Sequence, residues 1–213
     1  MPPHTPSPAP SHDIAQLADL EALYDEPRGA SLAKEVDYLH PHYRAFVDAS
    51  PFCLLSTQNE HGGDCSPRGD GPGFVQVLDD RTLLLPDRRG NNRIDSLRNI
   101  LKDPRVGLLF LVPGVNETLR ISGTATISTD PALIARCVVQ GKAPTTVLVI
   151  RIHSAFFQCA RALLRSRLWA ADAQISRDTL PSTGTMVADL SQNAIDGAAY
   201  DRELPERIRT TLY

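Results

Sequence analysis

The sequence predicts a mainly β, α+β chain: an antiparallel, barrel-like sheet with flanking helices. Two observations predict it. Between Pro51 and His153, short β-rich runs follow one another, separated by turn residues. Outside that stretch, and at two places within it, apolar residues recur at three- and four-residue spacing instead.

Five of the 17 prolines fall in the first ten residues, so residues 1–12 are expected to be a disordered leader. From Asp13, residues Ile14, Leu17, Leu20, Leu23 and Tyr24 share a helical face until Pro27 and Gly29 interrupt it. A second helix is expected with Ser31 as its cap and Leu32, Val36 and Leu39 on its face. Pro41 breaks it, and Tyr43, Phe46 and Val47 resume the pattern. These N-terminal helices, residues 13–50, are expected to pack on the barrel as a lid or dimer element. Strands are expected at Phe52–Thr57, Asp64–Ser66, Gly73–Leu78, Thr82–Leu85, Val106–Val112, Leu119–Ser128 and Thr146–His153. Turns fall at Asn59–Gly63, Asp70–Gly73, Asp79-Asp80 and Pro113-Gly114. Two helices interrupt them, Arg93–Leu101 and Pro131–Gln140, the latter started by Asp130 and ended by Gly141. Ala155–Trp169 reads as a further helix that completes a core of residues 51–170. Residues 171–213, with Pro181, Gly184, Gly197 and Pro205, read as an irregular arm within one domain overall.

The chain has 213 residues, 22 basic and 25 acidic, a formal charge of −3 that disfavours a broad nucleic-acid-binding face. Apolar residues make up 42% and charged residues 22%, as a globular core requires. The longest apolar run, Val106–Val112, falls far short of the roughly 20 residues that span a bilayer. Met1–Pro10 has neither a basic n-region nor an apolar h-region, so a soluble cytoplasmic protein is expected. Cys53, Cys65, Cys137 and Cys159 lack CxxC or zinc spacing and read as reduced thiols.

The densest polar cluster is Pro86–Arg93, between an apolar strand and a helix. The first turn of a helix offers unpaired N–H groups, Gly90 lets backbone approach closely, Arg88 and Arg93 can grip a phosphate, and Asn91 and Asn92 add amide donors. The same segment also reads as a solvated loop with an Asn cap. Ser66-Pro67-Arg68-Gly69-Asp70 can bring a hydroxyl and a second arginine to the same anion. A third basic group, Arg161, Arg165 and Arg167, precedes Trp169 with no acid before Asp172, and on a helix Arg165 and Trp169 share a face. Trp169 reads either as a cover for a planar ring or as a packing anchor. His40 and His42 flank Pro41 without a carboxylate or cysteine cluster, so no metal site is expected. Cys159, despite basic neighbours, reads as buried and inert. GxSxG, HExxH, Walker and GxGxxG motifs are absent.

Together, Phe52–Thr57, Ser66–Asp70, Pro72–Val75, Pro86–Arg93 and Glu117–Arg120 resemble the pyridoxamine 5′-phosphate oxidase-like flavoproteins, above all the bacterial subgroup known only as FMN-binding. The resemblance covers nearly the whole chain after the leader. It implies an FMN-binding split β-barrel that forms a homodimer, with FMN at the interface. It also implies an oxidoreductase acting on an unidentified small molecule by hydride or electron transfer at the flavin. Carried over, the phosphate strand corresponds to Ser66 and Arg68 and the strand-to-helix loop to Arg88, Asn91, Asn92 and Arg93, while Gln158, Arg165 and Trp169 are candidates from the second subunit. Pyridoxamine phosphate oxidase itself has an Arg…Lys strand, a Ser-Arg-Lys loop and an Arg-Leu-x-Pro end. Here these are Ser66-Pro67-Arg68, Gly90-Asn91-Asn92-Arg93 and Arg207–Tyr213, which speaks against vitamin B6 oxidation. The alternative is a non-catalytic sensor or carrier of FMN, a deazaflavin or haem, with His153 or His61 as the axial ligand to examine. A third reading is a structural dimer without a cofactor.

Overall fold

The computed structural model describes residues 12–27 and 29–213; the expected leader, His12 apart, lies outside them. The chain divides into two compact units, residues 1–34 and 35–213. The first holds the short helices α1 (Leu17–Glu21) and α2 (Ala30–Ala33). The long helical faces expected here are not formed. Leu17, Leu20, Leu23 and Tyr24 stay exposed, and a helix without a buried face is marginal at this length. Ser31 lies within α2, whose N-cap is Gly29.

In the second unit α3 (Pro41–Ala49) starts with Pro41 in its first turn, and the His40 ring nitrogen accepts the His42 N–H at 3.2 Å. Leu39, Tyr43 and Val47 are buried in the main core. Val36, expected on a helix, instead forms an antiparallel bridge with Ala155, at 3.1 and 2.8 Å.

The sheet contains β1 (Phe52–Asn59), β2 (Gly62–Gly69), β3 (Gln76–Asp79), β4 (Thr82–Asp87), β5 (Arg105–Leu111), β6 (Thr118–Ser128) and β7 (Thr146–Gln158). All seven pair antiparallel in the order β2-β1-β5-β6-β7-β4-β3, an open split-barrel sheet with flanking helices. Strand alternation sends Cys53, Leu55 and Thr57 of β1 and Val106, Leu108 and Phe110 of β5 to the interior. There they meet Leu83, Leu85, Leu119, Ile121, Leu148 and Ile150. A smaller cluster of Leu84, Cys137 and Val147 seats α5 (Pro131–Arg136), which Asp130 caps through the Ala132 N–H at 2.8 Å.

Residues 155–169 correct the sequence reading. Ala155–Gln158 continue β7 by pairing with Thr118–Ile121, so α6 spans only Arg161–Ser166. A bulge between Ser122 and Gly123 lets β6 and β7 stay paired over this length. A Cβ on Gly123 would overlap the Arg151 carbonyl oxygen. Gly123→Ala is therefore expected to destabilise the fold by about 1–3 kcal/mol, read as a lower midpoint of thermal unfolding.

The segment after residue 170 is not irregular. Two 3₁₀ turns, Ala171–Ala173 and Arg177–Thr179, lead into α7 (Thr183–Leu190) and α8 (Gly197–Thr211), which form a helical hairpin. Its two glycines mark close approach, since a Cβ on Gly184 would overlap the Gly197 carbonyl oxygen. Asp201 accepts hydrogen bonds from Ser182 Oγ at 2.5 Å and the Gly184 N–H at 2.7 Å, clamping the hairpin. No helix among the described residues is long and apolar enough to cross a membrane.

Candidate functional site

The pairing of β1 with β2 builds the site. Ser66 lies opposite Leu55 and Arg68 opposite Cys53, so both share the face of the sheet that carries the buried β1 side chains. Cys65 and Pro67 alternate to the other face. Above Ser66 and Arg68 stands α4 (Asp95–Lys102), held by Asn99, whose amide donates to Thr57 Oγ at 3.0 Å. Ser96, buried in its first turn, lies 3.1 Å from Ser66 Oγ and accepts from Arg68 at 3.1 Å. The second terminal nitrogen of Arg68 donates to the Pro67 carbonyl at 3.0 Å.

Helices α3, α5, α7 and α8 each begin under a side-chain cap, whereas α4 does not. Its N-cap, Ile94, is left-handed at φ 53°, two residues after Asn92 at φ 60°. Asn tolerates that conformation; a β-branched residue is strained in it, at a cost of order 1–3 kcal/mol. The strain and the uncapped N–H groups both face a cleft of about 800 Å³. The Asn91 side chain holds the loop by accepting the Arg93 N–H at 3.1 Å.

Ser66, Arg68, Arg88, Asn91, Asn92 and Arg93 all line this cleft, with Arg89, Lys142, Asp64, Asp87 and Asp95 among its other charged residues. Five cations against three carboxylates leave it suited to an anion. The cations are not equivalent. Arg88 is committed to the fold, bound to Asp70 at 2.6 Å and to the Cys137 carbonyl at 2.7 Å, with its side chain 15% exposed and that of Asp70 4%. Arg93 is paired with Asp95 at 2.7 Å on the surface. Among the described residues Arg68 has no carboxylate in ion-pair contact, and Arg89 and Lys142 make no side-chain bond. Burial pushes the Asp87 carboxyl above its ordinary value, against the opposing charge of Arg68. Burial also pushes the Cys53 thiol up to about 12, again against Arg68, leaving it inert beneath the cleft.

Among the cleft residues that escape sequence reasoning, two make side-chain contacts with predicted ones. Ser96 is one; a serine in the first turn of a helix that follows a Gly-Asn loop is the signal that could have found it. The other is Tyr213, whose hydroxyl donates to Asp70 at 2.7 Å and whose ring lies 5.9 Å from the Arg88 guanidinium carbon.

The remaining candidates lie elsewhere. Gln158 and Arg165 line a second groove of about 720 Å³ on the opposite face of the sheet, with Leu54, Leu109, Arg120 and Arg161. Because α6 ends at Ser166, Arg165 and Trp169 do not share a helical face; the Trp169 indole N–H donates to the Val115 carbonyl at 2.8 Å. Arg167 is neutralised by Asp172. Cys159 is exposed in the second groove rather than buried. His61 and His153 are exposed and line neither the cleft nor the groove. No cluster of three metal-ligating side chains occurs among the described residues.

Among solved structures the chain is similar to HupZ of Group A Streptococcus, at 18% identity over 55% of this chain and 92% of that one, TM-score 0.46. It is also similar to a general stress protein 26-related protein of the pyridoxinephosphate oxidase family from Clostridium acetobutylicum, at 14% identity over 55% and 85%, TM-score 0.43. An FMN-binding protein from Syntrophomonas wolfei is similar at 11% identity over 55% and 88%, TM-score 0.41. No curated protein matches the sequence. The sequence model of the pyridoxamine 5′-phosphate oxidase family matches residues 39–159, more than half of the chain and every strand of the sheet. By that match, the chain belongs to the pyridoxamine 5′-phosphate oxidase family.

Proposed function

We propose that the chain is an FMN-dependent oxidoreductase of the cytoplasm that works as a homodimer on a small molecule. One observation carries this reading: a half-buried arginine that has no carboxylate in ion-pair contact among the described residues, two serine hydroxyls and an uncapped helix N-terminus converge on one cleft. That donor set fits a phosphate monoester, which takes charge-assisted hydrogen bonds from a guanidinium, hydroxyls and backbone N–H groups together. Ser66, Arg68 and Ser96 hold the phosphate, with Asn91, Asn92 and Arg93 on the adjoining loop and Arg88 supporting the wall. Bound FMN would supply the hydride or electron transfer. The protein's part is then to bind, orient and shelter, which needs no acid–base pair in the cleft.

The second groove supports the dimer. Its lining is mostly apolar, carries Arg120, Arg161 and Arg165 and no carboxylate, and offers Gln158. In a two-fold dimer each copy presents the same patch, so Gln158 and Arg165, with Trp169 nearby in sequence, are assigned to the flavin held by the other copy. The purified protein is expected to be yellow, to take up one FMN per chain and to sediment as a dimer. A colourless protein that ignores added FMN overturns the reading. A monomer that binds FMN tightly removes the two-chain site alone. Bleaching of the bound flavin on anaerobic addition of NADH or NADPH supports catalysis; an inert flavin supports a carrier or sensor instead.

A further inference from the structure

The outer face of the sheet carries an arrangement that the fold does not require. Leu54 of β1, Leu109 of β5, Arg120 of β6 and Phe156 of β7 lie in register across four strands, so the two leucines lead directly to a guanidinium. Arg120 lies over the Phe156 ring, its guanidinium carbon 4.1 Å from the ring centroid. The next row on that face is Ser56, Gly107 and Ser122, small side chains that leave a trough beside the leucines. Arg161 and Arg165, four apart on α6, border the same groove of about 720 Å³. Among the described residues no carboxylate lines it and none is in ion-pair contact with these three arginines, whereas Arg44, Arg81, Arg105 and Arg209 each hold one.

Three cations that line one apolar groove repel one another unless something neutralises them. A second copy related by a two-fold axis presents the same patch, again without a carboxylate, and an oxidised flavin ring is neutral, so neither supplies the counter-charge. We propose that the groove binds a small apolar molecule that bears one carboxylate. The carboxylate takes the guanidinium forks of Arg120, Arg161 and Arg165, and the apolar body lies on Leu54 and Leu109, in the trough at Gly107. Given the dimeric FMN reading above, on which this role rests, the molecule sits beside the flavin of the other copy and is its substrate.

The test is calorimetric titration of the full-length protein with octanoate, octanamide and acetate, with circular dichroism as the control for folding. Octanoate is expected to bind at least about tenfold more tightly than octanamide, which has the chain without the charge, or acetate, which has the charge without the chain. Arg120→Gln is expected to weaken octanoate about tenfold and to leave octanamide unchanged. A Cβ on Gly107 meets only Ser56 Cβ, at 3.6 Å, so Gly107→Val is expected to fold, to fill the trough and to weaken octanoate and octanamide alike. Octanoate held no more tightly than octanamide overturns the assignment, as does an octanoate affinity unchanged in both variants. Octanoate binding that leaves the absorbance spectrum of bound FMN unshifted overturns the substrate role. A protein that binds octanoate as expected yet takes up no FMN keeps the groove site and overturns the flavin reading instead.

Discussion

Arg68→Ala is expected to weaken FMN binding about a hundredfold, the loss of about 2–3 kcal/mol that hydrogen bonds to a charged group contribute. Arg68 is a half-buried cleft cation with no carboxylate in ion-pair contact among the described residues, and its contact with Ser96 fixes its direction. Removing it takes away the charge and also frees the serine that completes the donor set. Arg68→Lys, which keeps the charge but not the planar fork, is expected to lose about tenfold. Arg93→Ala is expected to cost less than Arg68→Ala, because its guanidinium is already engaged by Asp95 at the surface. A fluorescence titration that finds Arg68→Ala unchanged would place the phosphate elsewhere.

The second large effect concerns stability. Asp70→Asn is expected to destabilise the chain by about 3 kcal/mol, since it leaves a mostly buried arginine without its counter-charge; the pair borders a cleft, so the lower end of the range for buried pairs applies. For a chain of this size that is a fall of about 6–12 °C in the unfolding midpoint. The pH dependence follows from the same carboxylate. Burial pushes Asp70 up, but the hydrogen bonds from Tyr213 and Gly71 and the charge and hydrogen bond of Arg88 outweigh it, so it sits below its ordinary value in the folded protein. A depressed carboxylate contributes stability that is fully present above its unfolded value, about 4, and is lost as pH falls through the still lower folded value. Melting curves from pH 5 downward should therefore fall more steeply for the wild type than for Asp70→Asn. Parallel curves would show that the pair carries no such linkage.

Much of the fold was legible because strand periodicity is a local signal. The expected runs from Phe52 to Ser128 coincide with β1 to β6 to within a few residues. β2 extends past Pro67 because it is an edge strand, where a proline costs no ladder bond on its free side. The misreadings came where tertiary contacts decide. Phe156 and Phe157 fit a helical face as well as a strand, and only pairing with β6 selects the strand. Gly184, Gly197 and Pro205 look like chain breakers; two are contact points between helices and the third is carried inside α8. In the cleft, residue type and position singled out Ser66, Arg68, Arg88, Asn91, Asn92 and Arg93, which line one space. They could not reveal that Asp70 claims Arg88, or that a tyrosine 143 residues away bonds the same carboxylate and lines the same cleft.

That separation has a consequence for the order of assembly. Strands β1 and β2 are joined through Glu60 and His61 alone, so Ser66, Arg68 and Asp70 reach their places by local pairing. Tyr213 must instead close a loop of far greater length, and contacts of such range are repaid only after the intervening chain is ordered. The β1–β2 side of the cleft is thus expected to form before the side that Tyr213 lines.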